Sequence, residues 1–420
     1  MDRTHLAVVG SGVAGLTAAY VASRTADVTL FEADDRLGGH ADTHLVPEAR
    51  DGQSRVLAID TGFIVHNPRT YPVLLRMFAE LGVATQESEM SMSIRDDGSG
   101  LEWAGALGRK GVFPSIDAVR RPRYLLMLAE IPRFHRRAKA LVSTSSTTEN
   151  DTTLREFLAA GHFSAYFTRH FMEPMVAAVW SCDPDVALDY PARYLFTFLQ
   201  HHGMLGIFGS PQWRTVTGGS HEYVRQVAAE LGEIRTGSKV TSVQETPDGV
   251  EITDGNGEVT TYDAVVIATH PSHALTMLAA PSVAQREVLS ALPYSANTAL
   301  LHTDVSLLPR TRNAWASWNF RRPAAEGRGR EEGGGLRRAR VGPERSEEST
   351  DPSRNQGPAA EGRGAEDAAG DGPVLVTYDL TRLQRLETDT HYLVTLGGEH
   401  LVDPATVIDR MEYEHPLYNP

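Results

Sequence analysis

The sequence predicts an α/β protein that combines a doubly wound, Rossmann-like domain with a mainly helical (α+β) second domain. A glycine-rich turn separates an apolar strand, Leu6 to Val9, from an alanine-rich helix that runs to about Arg24. Residues from about 70 to 205 mostly show the apolar spacing of helices. The run 263–269 (DAVVIAT) has the composition of a fully buried parallel strand. Together these patterns favour a parallel sheet with helices over an all-β or all-α fold.

Local signals place several elements. A second apolar strand, Val28 to Phe31, completes a strand–helix–strand unit with the first strand and helix. Two strand-like runs, 250–253 and 259–262, flank the turn sequence DGNG and predict a hairpin. Thr153 and Glu156 have the spacing of a capping box at the start of a helix.

The order of these elements predicts two domains, each assembled from two stretches of chain. We expect residues 1–69 and 211–280 to form the first domain, and residues 70–210 and 281–420 to form the second. The segment 321–372 is rich in Gly, Arg, Glu, Ala and Pro, and it contains PAAEGRG twice, at 323–329 and 358–364. Because such a segment buries too little apolar surface to offset its ordering entropy, we expect a disordered insertion in a hairpin loop between strand-like runs 314–320 and 374–378.

Composition restricts the class of partner and the compartment. A formal net charge of −14 argues against a nucleic-acid partner, since phosphate binding needs an excess of Lys and Arg. The single cysteine, Cys182, excludes an internal disulfide and fits a reducing compartment. No apolar run reaches the roughly 20 residues that a membrane span requires. The N-terminus leads directly into a strand without a signal peptide, so we expect a cytoplasmic protein.

The turn after the first strand has the G-x-G-x-x-G pattern of a dinucleotide-binding loop. Its first glycine permits a tight turn, its second lets the backbone approach a pyrophosphate, and its third lets the helix pack closely on the strand. Glu32 lies twenty residues after the second glycine, at the end of the second strand, where a carboxylate can accept hydrogen bonds from both ribose hydroxyls. An acid there disfavours the 2′-phosphate of NADP. The residues of the loop are Gly10, Ser11, Gly12, Val13, Ala14 and Gly15.

The residues that follow Glu32 select the dinucleotide. The stretch 32–40 (EADDRLGGH) resembles the E-x-x-x-R-x-G-G-R signature of the flavin-dependent amine oxidase superfamily, which includes amine oxidases, phytoene desaturases and protoporphyrinogen oxidases. The resemblance implies FAD as cofactor, with Arg36 paired to the pyrophosphate and with Gly38 and Gly39 allowing a second close approach of the backbone. His40 replaces the usual arginine, which weakens that contact.

Further stretches resemble the same superfamily in order and spacing. The sequence 60–63 (DTGF) resembles the segment that passes the flavin ring, which implicates Gly62 and Phe63. The sequence 217–220 (TGGS) resembles the returning turn before a helix. The resemblance also implies that the backbone of Val240 meets the adenine and that Thr269, in the sequence 268–271 (ATHP), ends a cofactor-domain strand.

A narrower resemblance covers nearly the whole chain outside 321–372. The stretches that carry it are 59–71, 178–181, 202–205, 211–220, 314–319 and 413–416. They are similar to a group of FAD-binding oxidoreductases that are found beside cyclopropane fatty acid synthases in bacteria, or fused to them in plants. This association implies a link to modified fatty acyl chains.

We therefore predict an FAD-dependent oxidoreductase, amine oxidase-like or desaturase-like, that passes hydride from a small or lipid-like substrate to flavin N5. The alternatives are a non-catalytic binding or escort protein on the same fold, and an NAD-dependent dehydrogenase. In the superfamily a C-terminal glycine-rich strand and helix close over the flavin. Because the sequence ends at Pro420 before such an element, we expect it to be missing and FAD to be bound weakly.

No catalytic residue can be assigned from spacing, and the scattered histidines predict no metal site. His201 or His202 is a candidate for the cavity wall, although a structural histidine is the simpler interpretation. Trp180, Trp213, Trp315 and Trp318 are candidate wall residues, with ordinary core packing as the alternative. Basic residues between 120 and 139 surround the apolar run 124–128, which predicts either a solvated helix face or a weak contact with a membrane surface. The sequence does not indicate an oligomeric state.

Overall fold

A computed structural model describes residues 3–50, 52–144, 152–180, 188–206, 209–324 and 375–417, except for the side chain of Trp180. Cys182 and nearly all of the predicted insertion 321–372 therefore lie outside the described residues. The strands are β1 (Thr4–Val9), β2 (Ala26–Phe31), β3 (Thr43–Arg50), β4 (Gln53–Asp60), β5 (Val65–His66), β6 (Thr85–Glu87), β7 (Met92–Asp96), β8 (Leu101–Gly105), β9 (Arg214–Val216), β10 (Glu233–Arg235), β11 (Val240–Thr246), β12 (Gly249–Asp254), β13 (Val259–Tyr262), β14 (Ala264–Ile267), β15 (Tyr294–His302), β16 (Trp318–Arg322), β17 (Leu375–Asp379), β18 (Leu393–Leu396) and β19 (Val407–Pro416).

The helices lie between these strands, and a π-helical turn, Thr168–Met172, leads into one of them. They are α1 (Val13–Ala22), α2 (Pro72–Leu81), α3 (Gly108–Val112), α4 (Ile116–Val119), α5 (Pro122–Ser143), α6 (Leu154–Ala160), α7 (Ala165–Phe167), α8 (Glu173–Trp180), α9 (Ala192–His201), α10 (His221–Ala229), α11 (Pro271–Met277), α12 (Val283–Ser290) and α13 (Leu380–Leu383). No helix in the described ranges combines the length and the apolar character needed to cross a membrane.

The Rossmann-like sheet has the strand order β10-β2-β1-β14, and its strands pair in parallel. Strands β1 and β2 with α1 between them confirm the predicted strand–helix–strand unit. Helix α1 buries Gly15, Leu16 and Ala19, the side that packs with the sheet, because small side chains let the helix approach closely. The carboxyl ends of the parallel strands form one edge, where ligands bind in folds of this type.

Strand β14 is parallel to β1, as predicted, but the prediction that it is fully buried is wrong. Within the described residues it is the edge strand of its sheet. Ala264 and Val266 are exposed, the latter to 36%. An apolar, β-branched run is equally compatible with a central strand and with an edge strand, so composition alone did not distinguish the two positions.

The predicted hairpin is confirmed by β12 and β13, which pair antiparallel from Val250↔Tyr262 to Thr253↔Val259. Asp254 holds the turn, because its carboxylate accepts hydrogen bonds from the backbone N–H groups of Asn256 and Glu258. Strand β11 pairs with the other side of β12. The predicted capping box is also confirmed: the side chains of Thr153 and Glu156 each accept a hydrogen bond from the other's backbone N–H.

The second part of the molecule packs helices against a seven-stranded sheet of order β19-β15-β18-β17-β16-β7-β8. Helices α5, α6, α8 and α9 share a large apolar core with this sheet, centred on residues such as Phe134 and Phe196. The stretch 70–205 is mostly helical as predicted, but it also contains strands β6, β7 and β8, which the sequence pattern did not predict. The two-domain division at residues 70, 211 and 281 remains a prediction.

Strands β16 and β17 pair antiparallel, with Trp318 opposite Tyr378 and Arg321 opposite Leu375. The two strands that flank the predicted insertion therefore belong to one hairpin, as expected. The first strand begins at Trp318 rather than at Ala314, because residues 312–314 form a 3-10 turn instead. The insertion itself, apart from its first four residues, is not among the described residues.

Candidate functional site

The glycine turn between β1 and α1 is built around close backbone contacts. A Cβ atom added at Gly15 would lie 1.8 Å from the carbonyl oxygen of Gly10, so only glycine fits there. Gly10 has a φ of +98°, which favours glycine, and an added Cβ would meet the carbonyl oxygen of Ala268 at 2.8 Å. These two glycines let the turn, the helix and the end of β14 come together.

Gly12 has a different environment from Gly10 and Gly15, the other two glycines of the loop. It is the N-cap of α1. Among the described residues, no side chain caps the helix, and an added Cβ would meet no atom within 4 Å. Val13 and Ala14, at the start of the helix, are exposed. The first N–H groups of α1 therefore face open space, with the partial positive charge that a helix N-terminus offers to a phosphate.

Glu32 lies at the carboxyl end of β2, beside this turn. One carboxylate oxygen accepts hydrogen bonds from the backbone N–H and the hydroxyl of Ser11, at 2.8 and 2.5 Å. The other accepts a hydrogen bond from the backbone N–H of Asp34 at 3.0 Å. The carboxylate is held in place by these bonds, and its remaining lone pairs stay available for ribose hydroxyls.

The second glycine pair lies against the first loop. An added Cβ at Gly39 would be 3.3 Å from the Cα atom of Gly12, so the two loops are in contact. Arg36 has partners within its own segment. It makes an ion pair with Asp42 at 3.0 Å and donates a hydrogen bond to the carbonyl oxygen of Gly39. Its predicted contact with a pyrophosphate would require this ion pair to open or to be shared.

Val240 and Thr269 lie on either side of the cradle. The side chain of Val240 is buried in a cluster with Val9 and Phe31, at the ends of β1 and β2. The methyl group of Thr269 lies 3.1 Å from the position of a Cβ on Gly10. The structure thus brings the predicted cofactor residues together at the carboxyl edge of the parallel sheet, although their sequence positions extend from 10 to 269.

A cavity of about 430 Å³ opens beside this edge. It includes the predicted residues His40, Gly62 and Phe63, and the close fit of Gly62 against the His40 carbonyl oxygen leaves no room for a side chain. The other lining residues are Thr61, Ile64, Val65, Tyr71, Met90, Ala178, Val179, Phe198, His202, Met204, Trp213, Trp318, Tyr378, Leu383, Val394, Leu396, Tyr413, His415 and Pro416.

The candidate wall residues divide into two groups. His202, Trp213 and Trp318 line the cavity, whereas His201 is exposed and Trp315 donates a hydrogen bond to the carbonyl oxygen of Pro309 elsewhere. The ring of His202 is also well packed, because it stacks on Phe198 and its Nδ1 lies 2.8 Å from the Phe198 carbonyl oxygen. For this residue the cavity-wall and structural interpretations are both correct. The side chain of Trp180 lies outside the described residues.

Strand β19 supplies site residues to which sequence analysis assigned no role. The buried hydroxyl of Tyr413 donates a hydrogen bond to Asp42 at 2.8 Å and lies 2.7 Å from the hydroxyl of Thr61. Burial by itself raises the pKa of Asp42, but hydrogen bonds from His44 and Tyr413 and the charge of Arg36 leave that pKa lowered. Asp42 is therefore an anion that ties the second glycine loop to β19. The stretch 413–416 was the available signal, but only as part of a resemblance.

Two histidines of the cavity wall are neutral near pH 7. Burial, with the neighbouring His40 and His270, lowers the pKa of His415 to about 4. Burial and His270 also lower the pKa of His40. His415 Nδ1 lies 2.9 Å from the side-chain amide nitrogen of Asn297, so the amide donates to that ring nitrogen. The wall near Tyr413 thus offers neutral imidazoles rather than fixed positive charge.

These residues fit FAD in chemistry and in space. The open helix N-terminus and the empty position above Gly12 would accept the pyrophosphate, and Glu32 would accept the ribose hydroxyls. Gly62 and Phe63, at the mouth of the cavity, would pass the flavin ring. The contact of each named residue with FAD remains a prediction.

Comparison with known proteins agrees with this site. Structures of similar fold include a putrescine oxidase variant (TM-score 0.58, 16% identity, 94% of this chain and 75% of that chain covered). Cyclohexylamine oxidase from Brevibacterium oxydans also matches (TM-score 0.58, 14% identity, 98% and 85% covered). So does a CLA-producing fatty acid isomerase from P. acnes (TM-score 0.59, 12% identity, 99% and 86% covered).

The family assignment comes from sequence. The family model described as flavin containing amine oxidoreductase matches residues 13–310, more than half of the chain. This match supports FAD over NAD as the dinucleotide and an enzyme over a non-catalytic protein. The chain belongs to the flavin-containing amine oxidoreductase family and is an FAD-dependent oxidoreductase.

Proposed function

We propose that the protein oxidises an apolar, lipid-like substrate in the cavity beside the FAD site. The observation that carries the proposal is the chemistry of the wall: among the described lining residues there is no Asp, Glu, Lys or Arg. Trp213, Trp318, Leu396 and Met204 are typical of this wall. Such a surface gains free energy by removing hydrocarbon from water, at roughly 25 cal/mol per Å² of apolar area. Bound FAD would supply the hydride acceptor at N5.

The polar groups of the wall are few and neutral, and they serve to orient a substrate. With its pKa lowered to about 4, His415 is uncharged near pH 7 and presents an imidazole without attracting a cation or an anion strongly. Tyr71 presents a hydroxyl, whose pKa burial raises, so it remains a hydrogen-bond donor. We propose that these two residues position the polar end of the substrate, while the apolar wall excludes water from the reacting carbon.

Amine oxidation is the second candidate function. An ammonium group that enters the cavity would lose hydration without meeting a carboxylate, which is costly. The aromatic rings of Trp213, Trp318 and Tyr378 could offset part of that cost through cation–π contacts, worth about 0.5–2 kcal/mol each. Fatty acyl substrates therefore fit the wall better than amines do, and a comparison with amines tests the proposal.

Anaerobic reduction of the FAD-loaded enzyme distinguishes the candidates. We expect fatty acyl compounds to bleach the flavin absorbance faster than putrescine or cyclohexylamine do. Bleaching by the amines alone would contradict the lipid-like substrate, and no bleaching by either class would contradict both candidate substrates.

A cavity-filling variant tests where the substrate binds. Val179 lines the cavity and is half-buried, so Val179→Trp should slow substrate reduction at least tenfold with FAD still bound. Val73→Trp is the matched control, because Val73 is 70% exposed on α2. Equal rates in the two variants would show that the substrate uses another site.

We also propose a weak contact with an anionic membrane surface, which would suit a lipid-like substrate. The start of α5 and the preceding helix α4 expose apolar side chains: Leu126 is 58% exposed, and Ile116 is 73% exposed. Arg120 and Arg123 are exposed beside them. Exposed apolar side chains with basic neighbours are typical of interfacial binding. The single cysteine is consistent with a cytoplasmic location.

Liposome flotation tests this contact. Vesicles with anionic lipid should carry the protein to the floated fraction, and Ile116→Glu combined with Leu126→Glu should abolish recovery. The matched control is Val283→Glu, since Val283 is 82% exposed in a different part of the fold. Absence of the unaltered protein from the floated fraction would contradict the contact.

A further inference from the structure

Two histidines and a glutamate converge at the junction between α11 and β19. His270 is the N-cap of α11, and His273 lies three residues further along the same helix. Glu414 is on β19, 144 residues away from His270 in sequence. Its Oε2 atom lies 2.7 Å from Nδ1 of His270 and 3.7 Å from Nε2 of His273. One ligand-type atom from each of the three side chains falls within 4.8 Å of the others.

The three side chains are held on one side and open on the other. The ring of Tyr294 stacks on His270 with centroids 4.2 Å apart, and the two histidine rings are nearly parallel. The exposed fractions are 28% for His270, 57% for His273 and 41% for Glu414. Ordered rings with solvent on the open side leave room for water at any further coordination position.

We infer that His270, His273 and Glu414 form a binding site for a divalent transition-metal ion of the zinc class. Two imidazoles and one carboxylate, with water completing the shell, are a ligand set that such ions accept. With bonds of about 2.0–2.2 Å, ligand atoms around a tetrahedral ion are separated by about 3.3–3.5 Å. The separation of 3.7 Å is close to this spacing, and the hydrogen bond of 2.7 Å has to open by less than 1 Å. The two imidazole nitrogens lie within 4.8 Å of each other, so they have to approach by at most about 1.5 Å.

A simple hydrogen-bonded pair would explain only part of this arrangement. His270 and Glu414 satisfy each other by a hydrogen bond. His273 adds a third potential metal-ligand atom, and its Nε2 lies too far from Glu414 Oε2 for a hydrogen bond. Within the described parts of the chain, Glu414 makes no ion pair with Lys or Arg. The scattered histidine spacing predicted no metal site because the third ligand comes from a distant strand.

A bound ion would join the cofactor side of the molecule to the substrate side. Helix α11 directly follows the edge strand of the parallel sheet, whereas β19 carries Tyr413 and His415, two residues of the cavity wall. The ion would therefore hold β19 against α11 and stabilise that wall. This inference does not depend on the identity of the substrate.

Equilibrium dialysis with Zn²⁺ tests the site, with protein free of any histidine tag and first treated with EDTA. We expect one Zn²⁺ per chain, and a melting temperature that rises on addition of Zn²⁺. His273→Ala should weaken Zn²⁺ binding at least about tenfold, since even residues that only support a metal ligand can cost 10–100-fold. Glu414→Gln should do the same. The EDTA-treated His273→Ala variant should have the melting temperature of the unaltered protein, because the His273 side chain is 57% exposed.

His221→Ala is the matched control, because His221 lies 3.3 Å from Glu222 and no third ligand is found near them among the described residues. It should leave Zn²⁺ binding unchanged. Co²⁺ in place of Zn²⁺ should give visible absorption bands that disappear in His273→Ala. The inference is overturned if the unaltered protein binds less than one Zn²⁺ per chain, or if His273→Ala binds it as tightly as the unaltered protein.

Discussion

The hydroxyl of Tyr413 lies between Thr61 and Asp42, at the point where the second glycine loop meets the cavity. Asp42 also pairs with Arg36, so one buried carboxylate connects β19 with the second glycine loop. Removal of a hydrogen-bond donor to a buried carboxylate lowers the stability of the folded state, because water does not replace the lost hydrogen bond. We therefore expect the Tyr413 hydroxyl to stabilise the site through its contacts with Asp42 and Thr61.

Tyr413→Phe removes only this hydroxyl. We expect it to lower the free energy of unfolding by about 1–3 kcal/mol, measured by urea denaturation without FAD. Tyr223→Phe is the matched control: the Tyr223 hydroxyl is equally buried but has no hydrogen-bond partner among the described residues. That control should be neutral or slightly stabilising. Equal losses in the two variants would show that the contacts of Tyr413 with Asp42 and Thr61 contribute nothing.

Among the elements, the β16–β17 hairpin shows how the fold accommodates the predicted insertion. Its register places Arg321 opposite Leu375, so the two strand ends are adjacent. A short turn is sufficient to join adjacent antiparallel strands. The fold of the described residues therefore does not need the length of the segment between them.

Replacement of residues 324–373 by Asp-Gly tests this interpretation. We expect the free energy of unfolding to change by no more than about 0.5–1 kcal/mol, since loop length has a weak entropic effect. Denaturation followed by circular dichroism provides the measurement, and FAD affinity should also be unchanged. A replacement that fails to fold would show that the segment packs against the described core.

Sequence patterns predicted the elements that local signals define. The glycine turn with its flanking strands and the hairpin 249–262 depend on residues close together in the chain, and both are confirmed. Strands β7 and β8 were missed, because short apolar segments are ambiguous between strand and helix. The position of β14 at the edge of its sheet depends on which strands pair with it, and no local pattern encodes that.

The residues of the candidate site divide in the same way, into those that local spacing predicts and those that depend on long-range strand pairing. Its glycines and Glu32 were predicted because a phosphate loop has a fixed spacing. The side chains of Tyr413 and His415 reach the site because β19 pairs with β15, more than a hundred residues earlier in the chain. Such long-range pairing is invisible to spacing. The proximity of His270 and His273 to Glu414, on which the proposed metal site rests, depends on the same long-range pairing.

At the scale of the whole molecule, buried histidines make stability depend on pH. Burial lowers their pKa values to about 4, against an ordinary value of about 6.5, so they are neutral in the folded state at pH 5–7. On unfolding each one takes up a proton below pH 6.5. Their contribution to stability is thus complete above pH 6.5 and is lost as the pH falls toward 4. They are His66, His135, His170, His302 and His415.

Asp60 makes the stability of the fold depend on pH in the opposite direction. Burial raises its pKa from 3.8 to about 6, although it accepts hydrogen bonds from Ser220 and Thr43. The contribution of Asp60 to the free energy of unfolding is present below pH 3.8 and is lost as the pH rises to about 6. One carboxyl group does not outweigh five histidines, so the net uptake of protons on unfolding is positive, roughly four at pH 5.5.

The expected result is a melting temperature that falls steadily from pH 7 to pH 4.5. Differential scanning calorimetry at several pH values measures it, with FAD and metal absent so that binding does not contribute. A melting temperature that is constant or that rises over this range would contradict the assignment of these histidines as buried and neutral.

FAD affinity of Gly12→Ala tests the central claim most directly. An added Cβ at Gly12 meets no atom of the described residues within 4 Å, so the variant should fold, with an unchanged melting temperature in the absence of FAD. The same atom would occupy the space predicted for the pyrophosphate, so titration of FAD by fluorescence quenching should show at least tenfold weaker binding than in the unaltered protein. Unchanged FAD affinity in folded Gly12→Ala would contradict the placement of the cofactor at this loop.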